Sequence, residues 1–300
     1  MICQSIPLND TARLDTYILH NSNEYNVGKK RPFVLVLPGG AYAFTSDREA
    51  EPIALRFNSI GCHAGILWYT TQDLVPNVPR NAFEEAMMAI RWIREHAQEY
   101  LIHTDQIIVC GFSAGGHLAI ECATMWHEDW IAKKLNCESE QLKVNLAIPC
   151  YAAGKSKKMP VGDPGPLMMT PKQSGNMRFF GSEDPTEEEV EQYNCLNKID
   201  QHTPPMFIWH TYEDQLVDVS NSIELAWRLK QHDIPFELHI FEKGEHGLAL
   251  ADRTTARKDS HKNPHIYHWF ELCEEWLSNY IDVAEGLYGE LPFNPDFLKG

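Results

Sequence analysis

Cys110-Gly111-Phe112-Ser113-Ala114-Gly115-Gly116-His117-Leu118-Ala119 holds a G-x-S-x-G pattern with apolar sequence on both sides. Upstream, Ile107-Ile108-Val109-Cys110 is a short apolar run of the kind that forms a strand buried on both faces. Downstream, Leu118, Ala119, Cys122 and Ala123 recur at helical spacing. A strand that turns into a helix within a few residues, with serine at the corner, holds the hydroxyl exposed on a strained backbone. Gly111 and Gly115 let neighbouring backbone pass close to that corner, and the helix N-terminus aims free N–H groups at the same place. A glycine-rich turn with serine as a helix cap is the plainer account of these letters. It does not explain why they fall between a strand and a helix, so Ser113 is expected to be a nucleophile.

A serine hydroxyl is a weak nucleophile at neutral pH and needs a base, itself oriented by an acid. In this topology the acid and then the histidine follow the serine along the chain, each on a loop after a later strand. His246 lies in Glu242-Lys243-Gly244-Glu245-His246-Gly247, directly after the strand run 236–241, and that position singles it out among 14 histidines. Asp214 lies a few residues past the run 206–210, with Glu213 and Asp218 as rivals in the same loop. Leu37-Pro38-Gly39-Gly40-Ala41-Tyr42 follows the run 33–37. Small residues there let backbone amides approach an oxyanion, and Gly40, Ala41 and Ala114 are the expected donors. His261, His265 and His268 sit at spacing that suits metal ligands on a helix, but an exposed helix face is the simpler expectation. The chemistry of a serine, a histidine and an acid needs neither a metal nor an organic cofactor.

Working outward, the runs 33–37, 64–69, 107–110, 144–148, 206–210 and 236–241 read as strands. Helical patterns lie between them, such as Phe83, Met87, Ile90, Ile93 and Ala97, and Trp269, Cys273, Trp276 and Tyr280. This alternation implies an α/β fold, with a mostly parallel central sheet flanked by helices on both faces. Leu14 to His20 is expected to add a strand at one edge. The stretch 151–200 breaks the pattern with Gly154, Pro160, Gly162, Pro164, Gly165, Pro166, Pro171, Gly175 and Gly181, then the acidic run Glu187-Glu188-Glu189. It reads as an insertion within a single domain of 1–300, with a short helix near 186–193, and a loop this long usually shapes a site. Residues 282–300, with Pro292 and Pro295, are expected to run over the surface.

The net charge of −16 over 300 residues repels phosphate backbones and anionic lipid, so neither nucleic acid nor a membrane surface is an expected partner. No apolar run approaches the 18 residues or so that a bilayer span needs. Met1-Ile2-Cys3-Gln4 lacks the charged and apolar regions of a secretory signal. Eight scattered cysteines without a C-x-x-C pair suggest neither a disulfide framework nor a zinc site, and a cytoplasmic location is expected. A monomer and a homo-oligomer are both compatible with the sequence.

Several stretches carry a more specific likeness. They are Pro38 to Tyr42, Ser46-Asp47-Arg48-Glu49-Ala50-Glu51-Pro52-Ile53-Ala54, Gly111 to Ala119, Thr203 to Thr211, Asn221-Ser222 and Gly244-Glu245-His246-Gly247-Leu248. With them the chain resembles the acetyl-xylan-esterase-like α/β-hydrolases, a group of carbohydrate esterases, from about residue 30 to 280. The resemblance implies a Ser–Asp–His hydrolase that removes acetyl or other short acyl groups from sugars, with Ser113, Asp214 and His246 in those roles. An acetylated oligosaccharide is the partner it implies. Two positions depart from the pattern: Pro38 replaces the histidine of the related lipase-type loop, and Ala41 stands where many members carry a third glycine. A peptidase, a lipase or a non-catalytic binding protein on the same fold are the alternatives. The insertion is rich in Lys, Pro and Gly, which argues against a lipase lid, and the retained serine and histidine argue against a binding module. Tyr42, Tyr151, Phe179 and Phe180 suit either sugar stacking or core packing.

Overall fold

A computed structural model describes residues 1–24, 28–71, 74–165 and 173–281. Its sheet is built from β1 (Ile2–Pro7), β2 (Arg13–Ile18), β3 (Arg31–Leu37), β4 (His63–Trp68), β5 (Ile102–Phe112), β6 (Leu146–Cys150), β7 (Met206–Thr211) and β8 (Phe236–Phe241). The strand order is β1-β2-β4-β3-β5-β6-β7-β8. From β4 to β8 all neighbours are parallel, while β2 is antiparallel to both β1 and β4.

The apolar runs within β3 to β7 are continuous because both faces of the sheet are covered there. Along β3, Phe33, Leu35 and Leu37 enter one apolar layer, and Val34 and Val36 enter the other. In β7, Met206 and Ile208 alternate with Phe207 and Trp209 in the same way. Each such side chain, fully buried, contributes about 2 kcal/mol of transfer free energy. The first layer is closed by α2 (Val78–Glu95), α3 (Ala97–Tyr100), α4 (Ala114–Met125), α5 (Asp129–Leu135) and α8 (Ser220–Gln231). Behind the sheet, α1 (Glu51–Ser59), α9 (Pro264–Tyr267) and α10 (Trp269–Leu277) close the second. Between β6 and β7 lie α6 (Gly175–Phe180) and α7 (Glu187–Gln192). Thr186 and Glu189 form a reciprocal capping box at the start of α7, which is the short helix expected near 186–193.

The structure corrects several expectations. The strand expected at the edge is β2, one place in; the edge itself is β1, whose mostly exposed residues give no alternation to read. Ala97 falls in a separate short helix because α2 ends at the cap residue His96. Tyr280 lies past the end of α10 and is exposed. His261, His265 and His268 do not share a helix. His261 ends a 3-10 turn and is buried against Arg48, His265 packs on Phe241, and His268 bonds Glu271. The surface course expected for 282–300, and Pro166 and Pro171, lie outside the described residues.

The parallel strands β3, β5, β7 and β8 all end on the same side of the sheet. Loops that leave that side can converge, and it is where open α/β sheets place their ligands.

Candidate active site

Ser113 sits between β5 and α4 with φ 54° and ψ −114°, a backbone setting that costs a non-glycine residue about 1–3 kcal/mol. Its N–H donates to the Cys150 carbonyl (3.0 Å), which fixes the corner to the neighbouring strand. The flanking glycines are required by close approach. A Cβ on Gly111 would lie 1.9 Å from the Gly115 carbonyl oxygen, and one on Gly115 would lie 2.0 Å from that of Leu37.

The loops after β7 and β8 bring two more groups to this corner. His246 Nε2 is 2.8 Å from Ser113 Oγ, and His246 Nδ1 is 2.6 Å from Asp214 Oδ2. With Nδ1–H donating to the carboxylate, Nε2 is left to accept the serine proton. The Tyr151 ring stands edge-on to the imidazole, 5.1 Å between centroids. Asp214 Oδ1 accepts the N–H groups of Leu216 and Val217, both at 2.9 Å. Burial alone would raise the Asp214 pKa, but the hydrogen bonds from His210, His246 and the Val217 amide, with the His246 charge, hold it well below the usual carboxylate range.

The two rivals face elsewhere. Glu213 is partly exposed and binds Lys243 Nζ (2.8 Å) and the Gly244 N–H (3.3 Å). Asp218 accepts the Ser220 N–H (2.8 Å) at the start of α8.

The loop after β3 lies against the serine, since a Cβ on Gly39 would come within 3.0 Å of Ser113 Cβ. Gly40, Ala41 and Tyr42 follow with φ of 132°, 50° and 58°. The Gly40 carbonyl accepts from Ala43 and Phe44, whereas the N–H groups of Gly40 and Ala41 have no partner among the described residues. The Ala114 N–H belongs to the first turn of α4, where amides have no intrahelical acceptor. The three expected donors are therefore uncommitted. Tyr42 anchors this strained turn: it is fully buried, its hydroxyl meets His117 Nδ1 (2.9 Å), and its ring packs on Phe179. Burial opposes a charge on His117, but Glu121 one turn on holds its pKa well above the ordinary value. Tyr42 and Tyr151 are thus core residues, so their rings are not free to stack on a sugar.

Sequence reasoning missed His210, Glu49 and the Tyr151 hydroxyl. His210 is buried and its Nε2 lies 3.2 Å from Asp214 Oδ2. Glu49 is buried too, accepting from the Gly39 N–H and from Tyr151. The signal lay in the stretches Ser46 to Ala54 and Thr203 to Thr211, which stood out without a role.

Among the described residues, one cluster away from this corner has metal-binding residue types: His127, Asp200 and His202. The two imidazoles stack at 4.4 Å with 29° between their planes. Ring-nitrogen lone pairs lie in those planes, so two nearly parallel rings cannot both aim at one ion about 2.1 Å away. In this arrangement His127 instead pairs with Asp200 (3.1 Å).

A family model described as BD-FAE matches residues 14–229. The endo-1,4-beta-xylanase B of Butyrivibrio fibrisolvens is 31% identical over 235 residues, which cover 76% of this chain and 34% of that protein. The chain spans about a third to a half of the length of the curated relatives it matches. Among solved structures, a sugar hydrolase from Lactococcus lactis has a TM-score of 0.73 at 31% identity, covering 93% of this chain and 98% of that one. The acetyl ester-xyloside bifunctional hydrolase of Caldicellulosiruptor lactoaceticus has a TM-score of 0.73 at 30% identity, covering 92% and 96%. Sheet order, the strand-to-helix corner at Ser113 and the family match agree, and the chain belongs to the BD-FAE family of α/β hydrolases.

Proposed function

We propose that this protein is a serine carboxylic-ester hydrolase that removes acetyl or other short acyl groups, with acetylated oligosaccharides as its substrates. The observation that carries the proposal is the unbroken chain of contacts from Ser113 Oγ through His246 to Asp214, beside three uncommitted N–H groups. Ser113 Oγ attacks the acyl carbonyl carbon while its proton passes to His246 Nε2. The resulting oxyanion is held by the Gly40, Ala41 and Ala114 amides, each such donor worth about 3 kcal/mol in the transition state. The bond to the alcohol then breaks, and His246 Nε2–H protonates the departing oxygen. Water attacks the acyl-serine by the same route, with His246 taking its proton and returning it to Ser113 as the carboxylic acid leaves. Asp214 stays ionised throughout and fixes the imidazole tautomer.

The sugar part of the proposal rests on relatives whose names include a xylanase, a sugar hydrolase and an acetyl ester-xyloside hydrolase. All eight cysteines are free, which fits a reducing compartment, and the proposal places the enzyme in the cytoplasm acting on small esters. Turnover of p-nitrophenyl acetate and acetylated xylo-oligosaccharides by wild type and Ser113→Ala tests it. Wild-type activity that falls at least about a thousandfold in the variant supports the mechanism. Activity that survives in Ser113→Ala contradicts it, and turnover of the aryl ester without the sugar esters removes the substrate assignment.

A further inference from the structure

We infer that the consecutive residues Arg48 and Glu49 are positioning residues that lock the amide loop after β3 to the loop carrying His246. The inference rests on the mechanism proposed above and adds what keeps its two halves in register.

Both residues lie in the 3-10 turn Asp47–Glu49, which precedes α1. Their side chains serve opposite sides of the corner. Arg48 reaches the segment after His246: Nη2 donates to the Gly247 carbonyl (2.9 Å) and meets His261 Nδ1 (3.0 Å), while Nε donates to the Thr255 carbonyl. Gly247 is the residue next to the base. Glu49 reaches the other loop, where Oε2 accepts the Gly39 N–H at 2.9 Å. Gly39 directly precedes the Gly40 and Ala41 donors.

The second oxygen of Glu49 closes the circuit. Oε1 accepts the Tyr151 hydroxyl proton at 2.7 Å, and that hydroxyl accepts the Ala249 N–H at 3.1 Å. The same tyrosine holds its ring edge-on to His246. Glu49 therefore reaches the amide loop directly and the base through Tyr151, while its neighbour Arg48 holds the base's loop at Gly247.

A buried carboxylate that merely capped an amide would need one acceptor. Here both oxygens are used, one toward each half of the site, at 4% exposure of the residue. Ester cleavage requires the imidazole and the oxyanion donors to be placed relative to each other within a fraction of an ångström. Misplacement by about 1 Å costs about a hundredfold in rate.

The test uses Tyr151→Phe, Glu49→Gln and Arg48→Lys in the full chain, with Tm, steady-state kinetics on p-nitrophenyl acetate and inhibition by a trifluoromethyl ketone, which mimics the oxyanion. Tyr151→Phe and Glu49→Gln should lower kcat by about 10- to 100-fold with KM within about twofold, and weaken the ketone by a similar factor. Arg48→Lys, which keeps charge but loses the fork, should lower kcat in the same sense. Folded variants with wild-type kcat, or a loss confined to Tm or to KM, overturn the inference. Tyr151→Phe changes only one hydroxyl and decides the matter if the other variants fail to fold. Ser113→Ala is assayed alongside. If it is inactive while Tyr151→Phe and Glu49→Gln turn over normally, only the positioning role falls; if it is active, the serine mechanism and the positioning role fall together.

Discussion

His210 and His246 approach the same oxygen of Asp214, at 3.2 Å and 2.6 Å. His210 Nε2 also faces the Val217 carbonyl at 3.0 Å, so that nitrogen carries a proton, and its Nδ1 lies 2.7 Å from the Ser222 hydroxyl. A fully buried donor thus shares the acid with the base and pins its rotamer.

Asp214→Asn should lower kcat on the order of ten-thousandfold, because the amide favours the wrong imidazole tautomer. Glu213→Gln and Asp218→Asn should stay within about twofold of wild type, since their carboxylates serve the Lys243 and α8 contacts. His210→Phe should fall between, near tenfold, for the loss of one hydrogen bond of about 1.4 kcal/mol. Steady-state kinetics on one ester checks all four. A full-activity Asp214→Asn would transfer the acid role to another residue.

The strands from β3 to β7 were legible because burial on both faces writes an apolar run, and Ser113 because glycines frame it between such a run and a helix. Asp214 was legible only as one of three carboxylates, since nothing in Glu213-Asp214 says which side chain turns inward. The supporting residues His210, Glu49 and His117 were not legible. A buried polar side chain is fixed by partners from distant segments, such as Glu49 by Gly39 and Tyr151, and leaves no periodic trace. β1 escaped for the opposite reason, its exposure on the sheet edge.

Stability should depend on pH in two successive windows. His63 is buried, with Nδ1 accepting the Leu19 N–H and Nε2–H donating to the Tyr100 carbonyl, so it has no place for a second proton. Burial, and then the Arg31 charge, lower its pKa to about 4. The unfolded chain takes up that proton near pH 6.5, so stability is full above 6.5 and declines as pH falls towards 4, by about 3 kcal/mol. Asp214 has a depressed pKa, so its contribution is present above about pH 3.9 and is lost as pH falls below that. Urea unfolding at pH 7.5, 5 and 4 should show the first decline in wild type and a smaller one in His63→Gln. Equal slopes in the two proteins would remove His63 as the source.

Gly115→Ala should cost at least about 3 kcal/mol, because the added methyl overlaps the Leu37 carbonyl and backbone cannot yield as a side chain can. Thermal unfolding beside wild type checks it. A Gly115→Ala protein as stable as wild type would mean that β3 and α4 do not pack as closely as described.

Peptide mass mapping after treatment with a fluorophosphonate asks directly whether the residue 113 hydroxyl is the nucleophile. One adduct on Ser113, formed at least about a thousandfold more slowly in His246→Ala, is the expected result. An adduct on a different residue, or an active enzyme that takes no label, would contradict a serine nucleophile at this corner.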